Sequence, residues 1–239
     1  MKDQEKTKEV LIREINDLRS RMAELEKSDA ERSQAKEALS QSLEKLKKAT
    51  GFIIDLIVMV VETRDPYMAG HQKRVADLAR SIAAEMNLSG EIIDSIGMAG
   101  LIHDLGKISI PAEILGQPRL LTDVEYSLVK THPEIGYQIL KEIDFYRPID
   151  LIVYQHHERI NGTGYPQGIK GEDILMEARI LGVADVVEAI CRYRPYRPAS
   201  GIDKALKEIS QYSGVLYDPE VVDACTKLFN ERGFRFKSR

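Results

Sequence analysis

The chain has 239 residues, 43% hydrophobic and 6% aromatic with no tryptophan, a composition typical of one sizeable globular domain plus an appendage. Its net charge of -4 argues against a polyanion-binding surface, because nucleic-acid binders usually carry a basic excess. Two cysteines, Cys191 and Cys225, are too few for a disulfide framework and lack metal-type spacing, which favours a reducing compartment. The N-terminus has no apolar signal region, and the longest apolar stretch, residues 52–61, is too short to span a bilayer. We therefore expect a soluble, cytoplasmic protein with no nucleic-acid partner and no membrane span.

Residues 1–50 have the pattern of a coiled-coil helix, with no glycine, proline or aromatic residue. Apolar residues step by four and three along a seam made of Leu11, Ile15, Leu18, Met22, Leu25, Leu39, Leu43, Leu46, Ile53, Ile57 and Val60. Asp29, Arg32 and Lys36 interrupt this seam, so we expect its middle to be weak or locally splayed. The alternative is a solvated single helix, which would leave the apolar stripe unburied. The pattern favours a parallel homodimer through residues 1–50 and a second domain over residues 51–239.

The residues after the coil predict helices throughout. Apolar residues at helical spacing, followed by the stop signals Asn87, Ser89 and Gly90, predict a helix over residues 70–88. Further helices are predicted over residues 91–105, 123–130, 133–140, 149–156, 175–189, 202–211 and 219–229. No alternating strand pattern of useful length is present, so the predicted fold class is all-α.

The five histidines of the chain and two aspartates are candidate metal ligands: His71, His103, Asp104, His132, His156, His157 and Asp185. Because His103 and Asp104 are consecutive, their side chains would diverge by about 100° on a helix and could reach two neighbouring ions. Lys107 would share their face, where its charge could neutralise an anionic substrate oxygen. Asp185 lies in an apolar run, where an unpaired carboxylate is costly and a metal would supply the partner.

A simpler explanation exists for each histidine taken alone, because a lone buried histidine is more often a hydrogen-bonded core residue than a ligand. The joint set favours a metal cluster instead. Imidazole and carboxylate ligands without a thiolate favour iron, manganese or zinc over soft-metal chemistry.

Five segments of the sequence contain or flank the candidate ligands: AGHQKRVADLA, LIHDLGKISIP, THPEIG, HHERINGTGYP and VADVVEAICRYRPYRPA. Together they resemble the HD-GYP family of the HD phosphohydrolase superfamily, and the similarity runs from about residue 62 to the end of the chain. The resemblance implies a helical bundle that hydrolyses the bacterial second messenger cyclic di-GMP to pGpG or GMP, through a hydroxide activated by two metal ions. It implies two divalent ions, iron or manganese, with zinc, nickel or magnesium as the alternatives.

The resemblance also implies a ligand set in which Asp104 bridges the two ions. One ion would be held by His71, His103, Asp104 and Asp185, and the other by Asp104, His132, His156 and His157. Family members that hold three metals have a glutamate four residues before the first histidine, where this chain has Tyr67. This departure implies the two-metal kind, and Glu62, nine residues before His71, is not assigned as a ligand.

The same resemblance implies the substrate contacts. Lys107 would stabilise the charge that grows in the transition state. Arg194 and Arg197 would contact the nucleotide, with a solvated basic patch as the alternative for both. Gly164, Tyr165 and Pro166 lie in a loop that would shape the substrate cleft or form a partner surface for diguanylate cyclase domains.

Three function classes remain open on these residues. The first is a cyclic di-GMP phosphodiesterase, the second a non-catalytic cyclic dinucleotide sensor that signals through the coiled coil, and the third a phosphohydrolase for other nucleotides. The complete ligand set and Lys107 favour the enzyme over the sensor, and the GYP loop speaks against the third class. Coils of this kind in the family connect an upstream sensory domain, so we expect the chain to be a fragment of a longer receptor.

Overall fold

The structure is a computed structural model that describes residues 2–65, 68–191 and 201–236, with side chains from residue 7 onward. The helices are α1 (Lys2–Arg64), α2 (His71–Glu85), α3 (Gly90–Ile102), a 3₁₀ helix (Leu105–Ser109), α4 (Ala112–Leu115), α5 (Asp123–Val129), α6 (His132–Leu140), α7 (Ile149–Gln155), a second 3₁₀ helix (Gly171–Asp173), α8 (Met176–Cys191), α9 (Gly201–Gln211) and α10 (Pro219–Asn230). Within these residues there is no β-strand, only an isolated bridge between Ser213 and Tyr217. The prediction of an all-α fold is confirmed. None of the described helices combines the length and hydropathy that a membrane span needs.

The chain divides into two units, Met1–Ile53 and Ile54–Arg239. In the first unit, α1 continues as a helix through Asp29, Arg32 and Lys36. The apolar seam is exposed, with Leu25 at 69% and Leu43 at 51%. The dimer expected along this seam stays a prediction.

The second unit begins with the last turns of α1, which pack one face inward. Val58 and Val61 are each 4% exposed, and Ile57 packs against the core. Val60, which the sequence also places on the coiled-coil seam, is 42% exposed, so the continuation of the seam into these turns stays a prediction. Leu56 and Met59 are exposed as well.

Helices α2, α3 and α8 pack together at the centre of the second unit. The predicted apolar face of α2 is confirmed, since Val75, Leu78 and Ile82 are fully buried. This helix ends at Glu85, earlier than predicted, and Asn87 follows it with a left-handed φ of 57°. The packed helices form the frame from which the histidines project.

The helix predicted over residues 91–105 ends at Ile102, so His103 and Asp104 lie in a turn and not on a helix. The chain turns here because the following 3₁₀ helix packs against the start of α6. A Cβ on Gly106 would lie 1.9 Å from the carbonyl oxygen of His132, so glycine is required at this approach. The turn presents the histidine and the aspartate to the same interior space.

Candidate metal centre

Helix termini and one helix interior carry the seven predicted ligands. His71 and His132 begin α2 and α6, His103 and Asp104 follow α3, His156 and His157 follow α7, and Asp185 lies within α8. Five of them are buried, whereas His157 and Asp185 are partly exposed. The fold thus gathers residues that are up to 114 positions apart into one place, since His71 and Asp185 lie with Nε2 and Oδ1 3.3 Å apart.

The ligand atoms fall into three overlapping groups, each with its atoms within 4.8 Å of one another. The groups are His71, His103 and Asp185; His132, His156 and His157; and His103, Asp104 and His156. The third group shares one histidine with each of the other two. This arrangement describes two adjacent sites joined by a common region.

Asp104 lies in that common region. Its Oδ1 is 3.4 Å from Nε2 of His132, while its Oδ2 is 3.5 Å from Nε2 of His103 and 3.9 Å from Nε2 of His71. The two carboxylate oxygens therefore face histidines of different groups.

Four of the histidine rings are held in place by hydrogen bonds from Nδ1. The acceptors are the carbonyl oxygens of Gly100 for His103 (2.9 Å), Val129 for His132 (2.8 Å) and Val153 for His156 (2.6 Å), and a carboxylate oxygen of Glu188 for His71 (2.6 Å). Because carbonyl and carboxylate oxygens accept, Nδ1 carries a proton in each of these rings, and Nε2 keeps its lone pair whenever the ring is neutral. Nε2 is then the atom that can bind a metal.

Glu188 is a functional side chain that the sequence analysis missed. It is 2% exposed, and its second oxygen accepts a hydrogen bond from Nε of Arg74 at 2.6 Å. The sequence did carry a signal, because Glu188 lies three residues after Asp185 in the same apolar run. The cost of burying a carboxylate applies to both residues equally.

The buried position of the histidines sets their protonation. Burial lowers the pKa of His132 to about 4, so its ring is neutral as a ligand must be. Burial also acts to lower the pKa of His71, but the neighbouring carboxylates of Asp185 and Glu188 outweigh it and raise that pKa to about 9. The carboxylates thus favour the charged ring, and His71 has to release the proton on Nε2 before that nitrogen can bind a metal.

The carboxylates of the site stay ionised despite burial. Burial acts to raise the pKa of Asp104, yet Lys107 and the surrounding histidines hold it well below its usual range. Nζ of Lys107 donates a hydrogen bond to Oδ2 of Asp104 at 2.8 Å. The structure thus places Lys107 next to the candidate ligands, where the sequence predicts it.

This set of residues fits divalent metal ions. Nε2 of His71 is buried and has no hydrogen-bond partner within the described residues, an arrangement that a bound ligand would relieve. Nitrogen and oxygen donors without sulfur suit borderline and hard divalent metals. The His and Asp groups therefore offer the ligands that such ions need.

A cavity of about 390 Å³ opens over the ligands. Asp104, Lys107 and His132 line this cavity, and so do Arg159 and Glu208. The sequence analysis named neither Arg159 nor Glu208. A signal existed for Arg159, which lies in the quoted segment HHERINGTGYP, whereas Glu208 lies in none of the five segments.

Of the predicted loop contacts, Tyr165 lines this cavity. Its ring stacks on His157 with centroids 4.7 Å apart, and burial raises the pKa of its hydroxyl. Gly164 lies against the backbone of Glu158, where a Cβ would be 2.4 Å from Cα. Gly164 and Pro166 are not among the described residues that line the cavity.

Three positions that the sequence analysis named lie outside the described residues: Tyr67, Arg194 and Arg197. Glu62, which the sequence analysis left unassigned, accepts a hydrogen bond from the backbone amide of Gly70 at 2.7 Å. It thus contacts the residue directly before His71.

Comparison with known proteins places these residues in a family. Residues 55–221 match the HD domain family, which is most of the second unit. The chain belongs to the HD domain family. The resemblance to this superfamily drawn from the sequence is confirmed.

Curated relatives of this HD domain protein are phosphodiesterases by name. It is 41% identical over 170 residues to the cyclic di-GMP phosphodiesterase response regulator RpfG of Xanthomonas campestris pv. campestris, covering 70% of this chain and 45% of that protein. It is 34% identical over 178 residues to the 3'3'-cGAMP-specific phosphodiesterase 3 of Vibrio cholerae, covering 74% of this chain and 39% of that protein. The chain thus spans less than half the length of either relative.

A solved structure shares the fold of this HD domain protein. An HDG"Y"P protein from Bdellovibrio bacteriovorus superposes with a TM-score of 0.56 at 20% identity, covering 66% of this chain and 51% of that one. At this identity the likeness concerns the fold alone, and it agrees with the helical architecture described above.

Proposed function

We propose that this HD domain protein is a metal-dependent phosphodiesterase of the HD-GYP type that hydrolyses cyclic di-GMP to pGpG or GMP in bacterial signalling. The observation that carries the proposal is the set of three overlapping ligand groups beneath a cavity that Lys107 also lines. The name of the Xanthomonas relative supports cyclic di-GMP as the substrate.

We propose two ions, with the ligands that the family resemblance implies. His71, His103, Asp104 and Asp185 would hold one ion, and Asp104, His132, His156 and His157 the other. The position of the two Asp104 oxygens, each facing histidines of a different group, supports a bridging role. Iron or manganese fits these donors, and zinc, nickel and magnesium are the alternatives.

The metal ligands and Lys107 would have different roles in phosphodiester hydrolysis. Two bound ions would polarise the phosphate and lower the pKa of water to near neutrality. Lys107, 14% exposed and already hydrogen-bonded to Asp104, can offer its charge to a phosphate oxygen as negative charge develops. The rings of His71, His103, His132 and His156 are already oriented for this, because their Nδ1 hydrogen bonds leave Nε2 as the atom that can bind a metal.

A second substrate has a specific observation in its favour. The Vibrio cholerae relative is named for 3'3'-cGAMP, a cyclic dinucleotide with the same pair of phosphodiesters. The metal ligands and Lys107 serve either substrate, so discrimination has to come from the residues around the bases. The proposal of a non-catalytic sensor is not favoured, since both relatives are named as phosphodiesterases.

Further parts of the proposal concern substrate contacts and partners. Arg194, Arg197 and the loop residues Gly164, Tyr165 and Pro166 are proposed to contact or enclose the nucleotide. The same loop is a proposed surface for diguanylate cyclase domains. The exposed seam of residues 1–50 is proposed to form a parallel homodimer ahead of the domain at residues 51–239.

The substitution Asp104→Asn tests the proposed reaction. Loss of the shared negative charge should reduce bound metal and lower cyclic di-GMP hydrolysis by at least about 100-fold, the upper end for groups that only orient ligands. Turnover is followed by chromatography of the nucleotides and metal by elemental analysis. Asp94→Asn is the matched control, because Asp94 is an exposed aspartate on α3. Unchanged turnover in Asp104→Asn would refute the assignment.

A further inference from the structure

The cavity over the metal ligands is lined by two chemically different sets of side chains. One set is charged or able to bind a metal, and it includes Asp104 and Lys107. The other set is apolar or aromatic: Met68, Tyr126, Val129, Val186, Ala189 and Ile190. A phosphodiester with small ester groups would use only the first set. A nucleotide has a charged phosphate and a flat apolar base, and so matches both.

Among the described residues two tyrosines line the cavity, and Tyr126 is the more exposed of them. Tyr165 is covered on one side by the stacked ring of His157, with an interplanar angle of 30°. Tyr126 is 48% exposed. A half-exposed aromatic ring at the wall of a cavity is available to stack on another ring.

Lys130 links the two tyrosines. Its Nζ lies 4.6 Å from the ring centroid of Tyr126 and 5.4 Å from that of Tyr165. Both distances are within the range of a cation–π interaction, which holds the rings near each other. The charge of Lys130 also adds to the positive potential on this side of the cavity.

The short helix that carries Tyr126 is anchored at its start. Thr122 and Glu125 form a reciprocal capping box at the N-terminus of α5. The guanidinium of Arg119 donates two hydrogen bonds to the carboxylate of Glu125, both at 2.8 Å. Because these bonds hold the first turn of α5, they also fix the backbone position of Tyr126, the residue after Glu125.

We propose that Tyr126 is the platform on which one purine base of the substrate stacks, with Val186, Ile190 and Met68 enclosing the base. The inference rests on the proposed function, since it assumes that the phosphate binds at the metal ligands. Stacking is tolerant of base identity, because every base has a π face. Tyr126 would thus select nucleotides over smaller phosphodiesters and would accept guanine and adenine alike.

The test compares KM and kcat for cyclic di-GMP across variants of Tyr126 in metal-loaded protein. Tyr126→Ala should raise KM about tenfold or more, the size typical of losing one base–aromatic stack, and change kcat by less than about twofold. Tyr126→Phe should retain the wild-type KM, since the ring and not the hydroxyl is required. Tyr146→Ala is the matched control, because Tyr146 is 84% exposed and does not line the cavity.

A further variant separates stacking from simple apolar bulk. Tyr126→Leu keeps the volume of an apolar side chain without a π face and should behave like Tyr126→Ala. A wild-type KM in both variants would overturn the inference. Equilibrium binding of cyclic di-GMP to the same variants should show the same order of affinities, and equal affinities would also overturn it. Wild-type protein that binds cyclic di-GMP but leaves it intact would instead contradict the proposed function.

Discussion

Glu188 shows how one buried side chain can position a metal ligand without binding the metal. It accepts hydrogen bonds from both His71 and Arg74, each at 2.6 Å. These bonds fix the ring orientation of His71 and place the proton on Nδ1. The three histidines that rely on backbone carbonyls have no side chain whose removal would have the same effect.

The substitution Glu188→Gln should therefore weaken metal binding. An amide cannot accept two charge-assisted hydrogen bonds as a carboxylate does, and partners of ligating histidines typically affect metal affinity by about 10–100-fold. Metal affinity measured by competition with a chromophoric chelator tests this directly.

The matched control for that measurement is Glu177→Gln. Glu177 is 7% exposed and accepts a hydrogen bond from Arg147, which is a comparable buried pair that does not contact any of the seven ligands. Both variants lose a carboxylate that is bonded to an arginine, but only one should lose metal affinity. Equal metal affinity in the two variants would contradict the positioning role.

At the scale of elements, the first 3₁₀ helix and α6 depend on a close backbone approach. The site at Gly106 has the carbonyl of His132 and the amide of Gly136 within 2.7 Å of an added Cβ. Backbone atoms cannot move aside as a flexible side chain can, so any larger residue must separate the two elements.

Gly106→Ala should destabilise the fold and displace His132. Overpacking of this kind typically costs about 1–3 kcal/mol, which chemical denaturation can measure. Gly90→Ala serves as the control, because a Cβ there meets nothing within 4 Å. Equal stability of Gly106→Ala and wild type would show that the approach is looser than described.

The sequence predicted most elements well where hydrophobic periodicity and capping residues agree. The helix expected over residues 123–130 is α5, and its start is explained by Thr122 and Glu125. Periodicity did not reveal that α3 ends before His103, because the turn depends on contact with α6, which is distant in sequence. Local pattern carries no information about such contacts.

The sequence predicted the ligand residues of the candidate site more completely than the residues that line the cavity over them. Motif spacing identified seven residues that the fold brings together, and Lys107 was placed near them correctly. Among the apolar and aromatic residues that line the cavity, Met68, Tyr126 and Val129 lie in none of the quoted segments. Their role becomes visible only when α5 and α8 are placed around the same space.

At the scale of the whole molecule, residues 1–53 form a unit whose apolar seam is exposed. A helix with an unburied apolar stripe gains stability when a second copy covers it. The intact protein should accordingly have about twice the 27.0 kDa mass of the chain in solution.

The double substitution Leu39→Lys and Leu46→Lys should shift that mass towards the monomer, because charged residues at seam positions repel across the interface. Gln41→Lys is the control, since Gln41 lies on the opposite face of the helix from Leu39 and Leu43. Light scattering measures the mass of all three proteins in solution. A monomeric mass for the wild type would contradict the proposed dimer.

Metal-dependent hydrolysis of cyclic di-GMP is the central claim, and its most direct test uses the unmodified protein. Cyclic di-GMP is incubated with protein that is reduced and metal-loaded, then stripped with a chelator, then reloaded with Fe²⁺ or Mn²⁺, and the nucleotides are separated by chromatography. We predict pGpG or GMP from the loaded protein, intact substrate after stripping, and recovery on reloading. Intact cyclic di-GMP with protein shown by elemental analysis to hold its metal, or hydrolysis that continues in protein shown to hold none, would contradict the claim.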